Sequence, residues 1–410
     1  MLNSIVSRYA PLVITLLVLA PVVYVLTLMW WIPQGAKYVP GTVIVSLVIL
    51  VAGRRVLAFE DKGQHPLDLF IKVLWLYVGY IAAVYALQGG SWSELRAFIC
   101  LALYMQFVRR LRLLESWCIG LLMASSFVLA GLVFSEYLQH ESRVGGGINP
   151  IPFATVIGML FLTLYSWILF AEKNLLIKAI ALMFALALLV SLMLTQTRGV
   201  LIPVLGAVLI LPLLSGLAQT GARFRKAVVA LSVVLLAIGS GLVVFNSDRI
   251  EQTIDEVEAV SSGDLSTSVG IRLQLWRSAI PLIADSPIIG YGESYSEALE
   301  KLYDQGQLST ELYHFNAAHF HNQFIDTWVK KGVLGLFILV AMLLAAIKVF
   351  WRSELTLWKR VGGASIILLL SVSALTDVPL LHVPVIFYAG FVIWILAAAR
   401  PMESKFYSSS

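Results

Sequence analysis

The stretch 175-LLIKAIALMFALALLVSLML-194 decides the fold class. Its twenty residues carry a single charge, Lys178, close to one end. At about 1.5 Å per residue a helix of that length is about 30 Å long, the thickness of a bilayer's hydrocarbon core. Measured by the same ruler, the 410-residue chain holds twelve candidate spans, at 10–32, 39–52, 68–88, 96–108, 116–137, 150–171, 175–194, 199–217, 227–246, 332–351, 361–378 and 383–399. The second and fourth are short enough to be extended, tilted or partly interfacial. No internal repeat is visible, and low complexity is confined to the Ser-rich tail, Ser408 to Ser410. The first apolar run, Tyr9 to Trp31, is too long for a signal-peptide core and has no small-residue cleavage pattern after it, so it reads as an uncleaved span.

Composition agrees. Hydrophobic residues make up 59% of the chain and charged residues 13%, whereas soluble domains hold roughly 45–50% apolar and about 25% charged residues. Lipid must therefore be the solvent. The net charge of +5 does not point to nucleic acid, because the basic residues are scattered between apolar runs. Cys100 and Cys118 both lie in or beside apolar stretches and read as small buried hydrophobes.

The scattered basic residues set an orientation. Arg54, Arg55 and Lys62 follow the second span, and Arg109, Arg110 and Arg112 the fourth. Lys173 and Lys178, then Arg223, Arg225 and Lys226, then Lys348, Arg352, Lys359 and Arg360 mark the later even turns. The short odd turns hold only Lys37, Arg96, Arg143 and Arg198. By the positive-inside rule both termini are expected in the cytoplasm, and the long connection 247–331 outside. That connection holds thirteen acidic against six basic residues, and connections so long usually have a role. The expected organisation is 1–246 with spans one to nine, 247–331 as an outer loop carrying site residues, and 332–410 with spans ten to twelve and a cytoplasmic tail. Within the loop, Arg249–Val260 reads as an acidic helix. Ile271–Ala284 reads as a helix lying against the membrane surface, broken by Pro281 and Pro287.

Four features are expensive for a purely structural role. His321, with Asn322, precedes Gly332-Val333-Leu334-Gly335 by a fixed interval. A histidine can take a proton from a hydroxyl near neutral pH, or it can simply bond a carbonyl at the interface. Arg198 stands in a tight turn, Thr195-Gln196-Thr197-Arg198-Gly199, between two apolar runs; its planar fork suits phosphate, and snorkelling to headgroups is the plainer alternative. Arg272 and Arg277 sit beside Trp276 in an acidic loop, where salt bridges are the alternative. Arg143 opens Arg143-Val144-Gly145-Gly146-Gly147-Ile148-Asn149-Pro150, whose glycine N–H groups can converge on an anion or merely bend. Collected on one face, arginines and a histidine are what a pyrophosphate-bearing lipid donor requires. A Gly-x-x-x-x-Gly-Lys-[Ser/Thr] run is missing, and neither Asp-x-Asp nor a dense carboxylate–histidine cluster is visible outside, so no metal or cofactor is expected. Asp377 is the main acidic residue expected within the spans.

On these residues the chain resembles the O-antigen ligase/O-antigen polymerase superfamily of bacterial inner-membrane glycosyltransferases. The resemblance lies in His321-Asn322, nine residues, Gly332, two residues and Gly335. It extends to the Arg143…Asn149-Pro150 turn, to Thr197-Arg198-Gly199, and to Arg272…Trp276…Pro287…Gly290-Tyr291-Gly292. It implies an all-α polytopic GT-C-like fold of about twelve transmembrane helices, working without metal at the periplasmic face of the inner membrane. The implied donor is an undecaprenyl-pyrophosphate-linked glycan. In ligases the acceptor is the lipid A–core oligosaccharide; in polymerases it is a second lipid-linked glycan, and in protein-glycosylating members a serine or threonine. Carried over by motif, Arg198 and Arg272 hold the pyrophosphate and His321 activates or orients the acceptor hydroxyl. Arg143, Asn149, His319, Asn322 and Asp377 are substrate-binding candidates, Asp377 by position only. The histidine pattern favours a ligase, and chain length disfavours protein glycosylation. A lipid-linked glycan transporter would place polar residues through the depth of several spans, whereas here they gather at the ends.

Overall fold

The computed structural model describes residues 2–57, 59, 63–140, 143–171, 175–218 and 247–400. The expected ninth span, 227–246, and the Ser-rich tail lie outside the described residues.

Helices stand where eleven of the twelve expected spans were placed. They are α1 (Leu2–Val18), α2 (Ala20–Leu26), α3 (Val39–Gly53), α4 (Asp68–Gln88), α5 (Trp92–Val108), α6 (Glu115–His140), α7 (Pro150–Phe170), α8 (Leu175–Leu194) and α9 (Arg198–Ala218). The connection contributes α10 (Ser247–Ser261), α11 (Ser268–Asp285), α12 (Tyr295–Asp304) and α13 (Thr310–Phe315). The chain returns through α14 (Gln323–Phe350), α15 (Leu357–Ser373) and α16 (Val383–Ala398). Among the described residues six helices are long and apolar enough to cross a bilayer: Gly35–Gly53, Asp68–Gln88, Glu115–Gln139, Pro150–Phe170, Leu175–Leu194 and Gln323–Phe350. The first expected span is divided between α1 and α2 at Leu19, because Pro21, in the first turn of α2, has no N–H for the preceding turn.

At the centre is α7, buried from Pro152 to Phe170 and packed against α8, α9, α15 and α16. It tolerates Thr155 and Thr163 there because their hydroxyls donate to the carbonyls of Ile151 and Met159 one turn back. The rim faces outward with apolar residues instead: Ile44, Val45, Val48 and Val51 of α3 and Leu175 and Leu176 of α8 are exposed, as lipid-facing positions are.

Buried acids are more numerous than the sequence reading allowed. Glu94 and Glu115 are both buried. Each is compensated by a lysine from a distant helix: Lys331 Nζ lies 2.6 Å from Glu94, and Lys359 Nζ lies 3.1 Å from Glu115. Lys359 also donates to the Ala399 carbonyl, beside a short parallel pairing of Leu113–Leu114 with Ala399–Arg400 that ties this end of the bundle together.

The connection has a small core of its own, built from Leu275, Ala279, Leu282, Ala298, Leu302, Leu312 and Phe320. The expected acidic helix is α10. The expected break at Pro281 does not occur: α11 runs through it to Asp285 and ends at Ser286. Much of the apolar face of α11, Leu275, Ala279 and Leu282, is buried in this small core.

Candidate functional site

The site is a junction of four turns at the end of the bundle that carries the connection. His321 precedes α14 in the left-handed region, φ +48°, a conformation few non-glycine residues adopt. The next two residues hold it there. Asn322 caps α14 through Oδ1, which accepts from the N–H groups of Phe324 and Ile325, while its Nδ2 donates to the Leu375 carbonyl. Gln323 donates its backbone N–H to the carbonyls of Ala374 and Asp377, and its Oε1 accepts from Leu380 N–H. The start of α14 is thus clamped onto the turn between α15 and α16.

That clamp brings His321 Nδ1 to 3.6 Å from Asp377 Oδ1. His319 joins them, its Nδ1 accepting from the His321 N–H at 3.3 Å and its ring centroid 4.3 Å from that of His321. His382 completes the group from the other side, with Nε2 4.0 Å from Asp377 Oδ2. Asp377 is 2% exposed. Burial opposes its charge, but His321 and the charges of His382 and His319 outweigh burial and hold the carboxyl below its usual range. Burial and the neighbouring His321 push His319 down to about 4, and burial also lowers His382. His382 and Gln323 escaped the sequence reading, the first because it lies beyond the motif, the second because it was counted as spacer.

The arginine turns abut this cluster. A β-carbon built on Gly199 would fall 2.7 Å from Thr376 Oγ1, so the start of α9, with Arg198 at its first position, lies against the Asp377 turn. Arg143 braces the turn before α9: its Nε donates to the Thr195 carbonyl and its guanidinium to Thr197 Oγ1. The glycine N–H groups do converge on an anion, and it is internal: Gly145 and Gly146 donate to the two carboxylate oxygens of Glu136. Asn149 caps α7, accepting from Ile151 N–H. Arg272 stands on α11, the helix that touches the junction. Trp276, one turn further along α11, donates to the Phe320 carbonyl beside His321, and residues four apart share a helix face.

Glycines make the junction possible. At Gly332 α14 is interrupted (φ +65°), and a β-carbon would fall 2.0 Å from the Ile288 carbonyl oxygen. Gly290, also left-handed, faces it: a β-carbon there would fall 2.6 Å from Gly332 N. Gly335 packs against Tyr80 of α4, whose hydroxyl satisfies the Lys331 carbonyl at the interruption. Beside the cluster opens a cavity of about 400 Å³, lined by Tyr85, Ser91, Glu293, Tyr295, Lys330 and Leu381 among others.

A helical bundle fit to span a bilayer, with histidines, a carboxylate and arginine turns gathered at one end, defines a multi-pass membrane protein. Comparison with known proteins narrows that class. A family model described as O-antigen ligase matches residues 182–340, which take in Arg198, Arg272, His321 and Gly335. An O-antigen ligase of Escherichia coli (strain K12) is 24% identical over 222 residues, 52% of this chain and 51% of that protein. An uncharacterized protein of Haemophilus influenzae is 30% identical over 100 residues, 24% of this chain and 25% of its own length. The similarity therefore spans about half of one relative and a quarter of the other. The family match and the ligase relative support membership of the O-antigen ligase family.

Proposed function

We propose that the chain is an O-antigen ligase that transfers a glycan from undecaprenyl pyrophosphate to a sugar hydroxyl of the lipid A–core oligosaccharide. The reaction takes place at the periplasmic face of the bacterial inner membrane, within a twelve-span GT-C-like fold whose termini are both cytoplasmic. The segments 1–246, 247–331 and 332–410 supply, in turn, spans one to nine, the site-bearing loop, and spans ten to twelve with the tail.

The observation that carries this reading is the histidine–aspartate pair, His321 and Asp377, at the meeting point of the arginine turns. A buried carboxylate beside one imidazole nitrogen orients the ring with its N–H toward the carboxylate, which leaves the lone pair of the other nitrogen to act as base for an acceptor hydroxyl. As the acceptor oxygen bonds to the anomeric carbon, the bond from that carbon to the pyrophosphate oxygen breaks and the hydroxyl proton passes to His321. The leaving pyrophosphate gains negative charge, which Arg198 and Arg272 offset without a metal. Arg143, Asn149, His319 and Asn322 bind or frame the substrates, and the polar, tyrosine-lined cavity beside the cluster takes sugar.

The test is reconstitution. Purified protein, in chelator, is given undecaprenyl-pyrophosphate glycan with either lipid A–core or a second lipid-linked glycan. Transfer to lipid A–core is the expected result. Lengthening of the lipid-linked chain would assign a polymerase instead, and transfer only on adding Mg²⁺ or Mn²⁺ would overturn the mechanism.

A further inference from the structure

His319, Asp377 and His382 each offer one ligand atom, and these atoms all lie within 4.8 Å of one another. Asp377 and His382 share one turn, but His319 lies 58 residues before Asp377, which is why no dense carboxylate–histidine cluster was visible in the sequence. Two of the donor atoms have unmet demand. Among the described residues Asp377 Oδ2 and His382 Nε2 are buried without a hydrogen-bond partner, although they face one another at 4.0 Å. An orphaned oxygen on a carboxylate only 2% exposed is costly, and a cation placed between the two atoms would satisfy both.

The donor set selects the cation. Two imidazoles and one carboxylate suit a borderline ion such as Zn²⁺, with a fourth position left open, whereas Mg²⁺ and Ca²⁺ ask for oxygen ligands. Bonds of about 2.0–2.1 Å at tetrahedral angles put donors roughly 3.4 Å apart, so the widest separation among the three, at most 4.8 Å, needs to close by up to about 1.4 Å. His382 has no hydrogen bond at Nε2 to break in doing so.

We propose that His319, Asp377 and His382 form a binding site for a zinc-class transition-metal ion, and that occupancy is inhibitory. Coordination takes the Asp377 carboxylate away from His321 and fixes the neighbouring His319, so the metal competes with the histidine–aspartate pair. Binding stands on the cluster alone; only its inhibitory effect rests on the transferase reading.

The experiment uses full-length protein, free of any polyhistidine tag and stripped with chelator. Zn²⁺ is titrated calorimetrically, and Co²⁺ by its ligand-field absorption. Saturable binding with a tetrahedral Co²⁺ spectrum is expected. It should weaken about tenfold or more in His382→Ala and Asp377→Asn, since losing even an outer-sphere partner costs roughly 10–100-fold. His382→Gln, of similar size, guards against a folding defect, and His314→Ala, an exposed histidine outside the cluster, should bind as the parent does. Absence of saturable binding, or binding unchanged by all three cluster variants, overturns the site. Glycan transfer as fast in saturating Zn²⁺ as in chelator overturns inhibition while leaving the site standing. Absence of transfer in chelator counts against the ligase reading and leaves the calorimetry intact.

Discussion

His321 Nδ1 stands 3.6 Å from Asp377 Oδ1, although the two residues belong to turns on opposite sides of α14 and α15. Asn322 and Gln323 produce that approach by bonding to Ala374, Leu375, Asp377 and Leu380. If the pair performs the proton transfer, His321→Ala should lower turnover by roughly 10²–10⁴. Asp377→Asn keeps the shape and removes the charge, and it should fall in a similar range. Both variants should still bind the lipid-linked donor if, as proposed, its pyrophosphate is held by the arginines. Side-by-side donor binding and transfer measurements check this, and full activity in His321→Ala would remove it from the chemistry.

The arginines divide by what they already touch. Arg143 is spent on Thr195 and Thr197, so Arg143→Ala should loosen the turn that presents Arg198 and lower both stability and transfer. Arg272 makes no hydrogen bond or ion pair with another described residue, which fits a group held for a ligand. Arg198→Ala and Arg272→Ala should each cost about 10²–10³ in transfer, the loss of one donor at a developing oxyanion, with donor affinity reduced. Unfolding curves separate the classes: Arg272→Ala should unfold as the parent does.

Gly290 and Gly332 meet backbone to backbone, each in the left-handed region. Gly332→Ala brings a methyl group against the Ile288 carbonyl and, at φ +65° with an extended ψ, also incurs about 1–3 kcal/mol of backbone strain. A loss of roughly 3 kcal/mol or more is expected from strain and clash together. Because the two glycines share one contact, Gly290→Ala added to Gly332→Ala should cost less than the sum of the singles. Equilibrium unfolding of the three variants in detergent checks the coupling; strict additivity would mean that the contact is not shared.

Orientation is tested separately. The alternation of basic turns puts Gly263, exposed between α10 and α11, outside, and Ser353, between α14 and α15, inside. Gly263→Cys should react with an impermeant thiol reagent on intact cells and Ser353→Cys only after permeabilisation. The reverse pattern would invert the molecule.

Much of this was legible because bilayer thickness imposes one length on every spanning segment. The expected spans 68–88 and 175–194 coincide with α4 and α8 residue for residue. The His321…Gly332…Gly335 interval was legible as a motif, since helix interruption and close packing both need glycine at fixed places. What sequence hid was long-range pairing. Nothing local to His321 points to Asp377, and nothing local to Glu115 points to Lys359. Pro281 misled for a different reason: a proline breaks helices by propensity, but the packed small core around Leu275, Ala279 and Leu282 holds α11 together across it.

The buried pair Glu94–Lys331 is the last such contact, and it carries a stability prediction. Lys331 Nζ lies 2.6 Å from Glu94 Oε1 and also donates to Tyr77 at 3.1 Å, while Tyr85 donates to the second Glu94 oxygen at 2.5 Å. The two side chains are 3% and 0% exposed, so neither charge has water to fall back on. Glu94 also sits in the first turn of α5, where a negative charge is favoured. The pair fastens the interruption of α14 to α4 and α5, in the wall of the cavity proposed to take sugar. Lys331→Met strands a buried carboxylate and Glu94→Gln strands a buried ammonium; each should destabilise by about 3–5 kcal/mol. The double variant leaves no charge unpaired, so it should recover part of that loss, and the coupling should exceed about 1 kcal/mol. Chemical unfolding of the four proteins in one detergent measures it. If the double variant falls below the parent by the full sum of the two single losses, the two residues act independently and the ion pair is not what joins these helices.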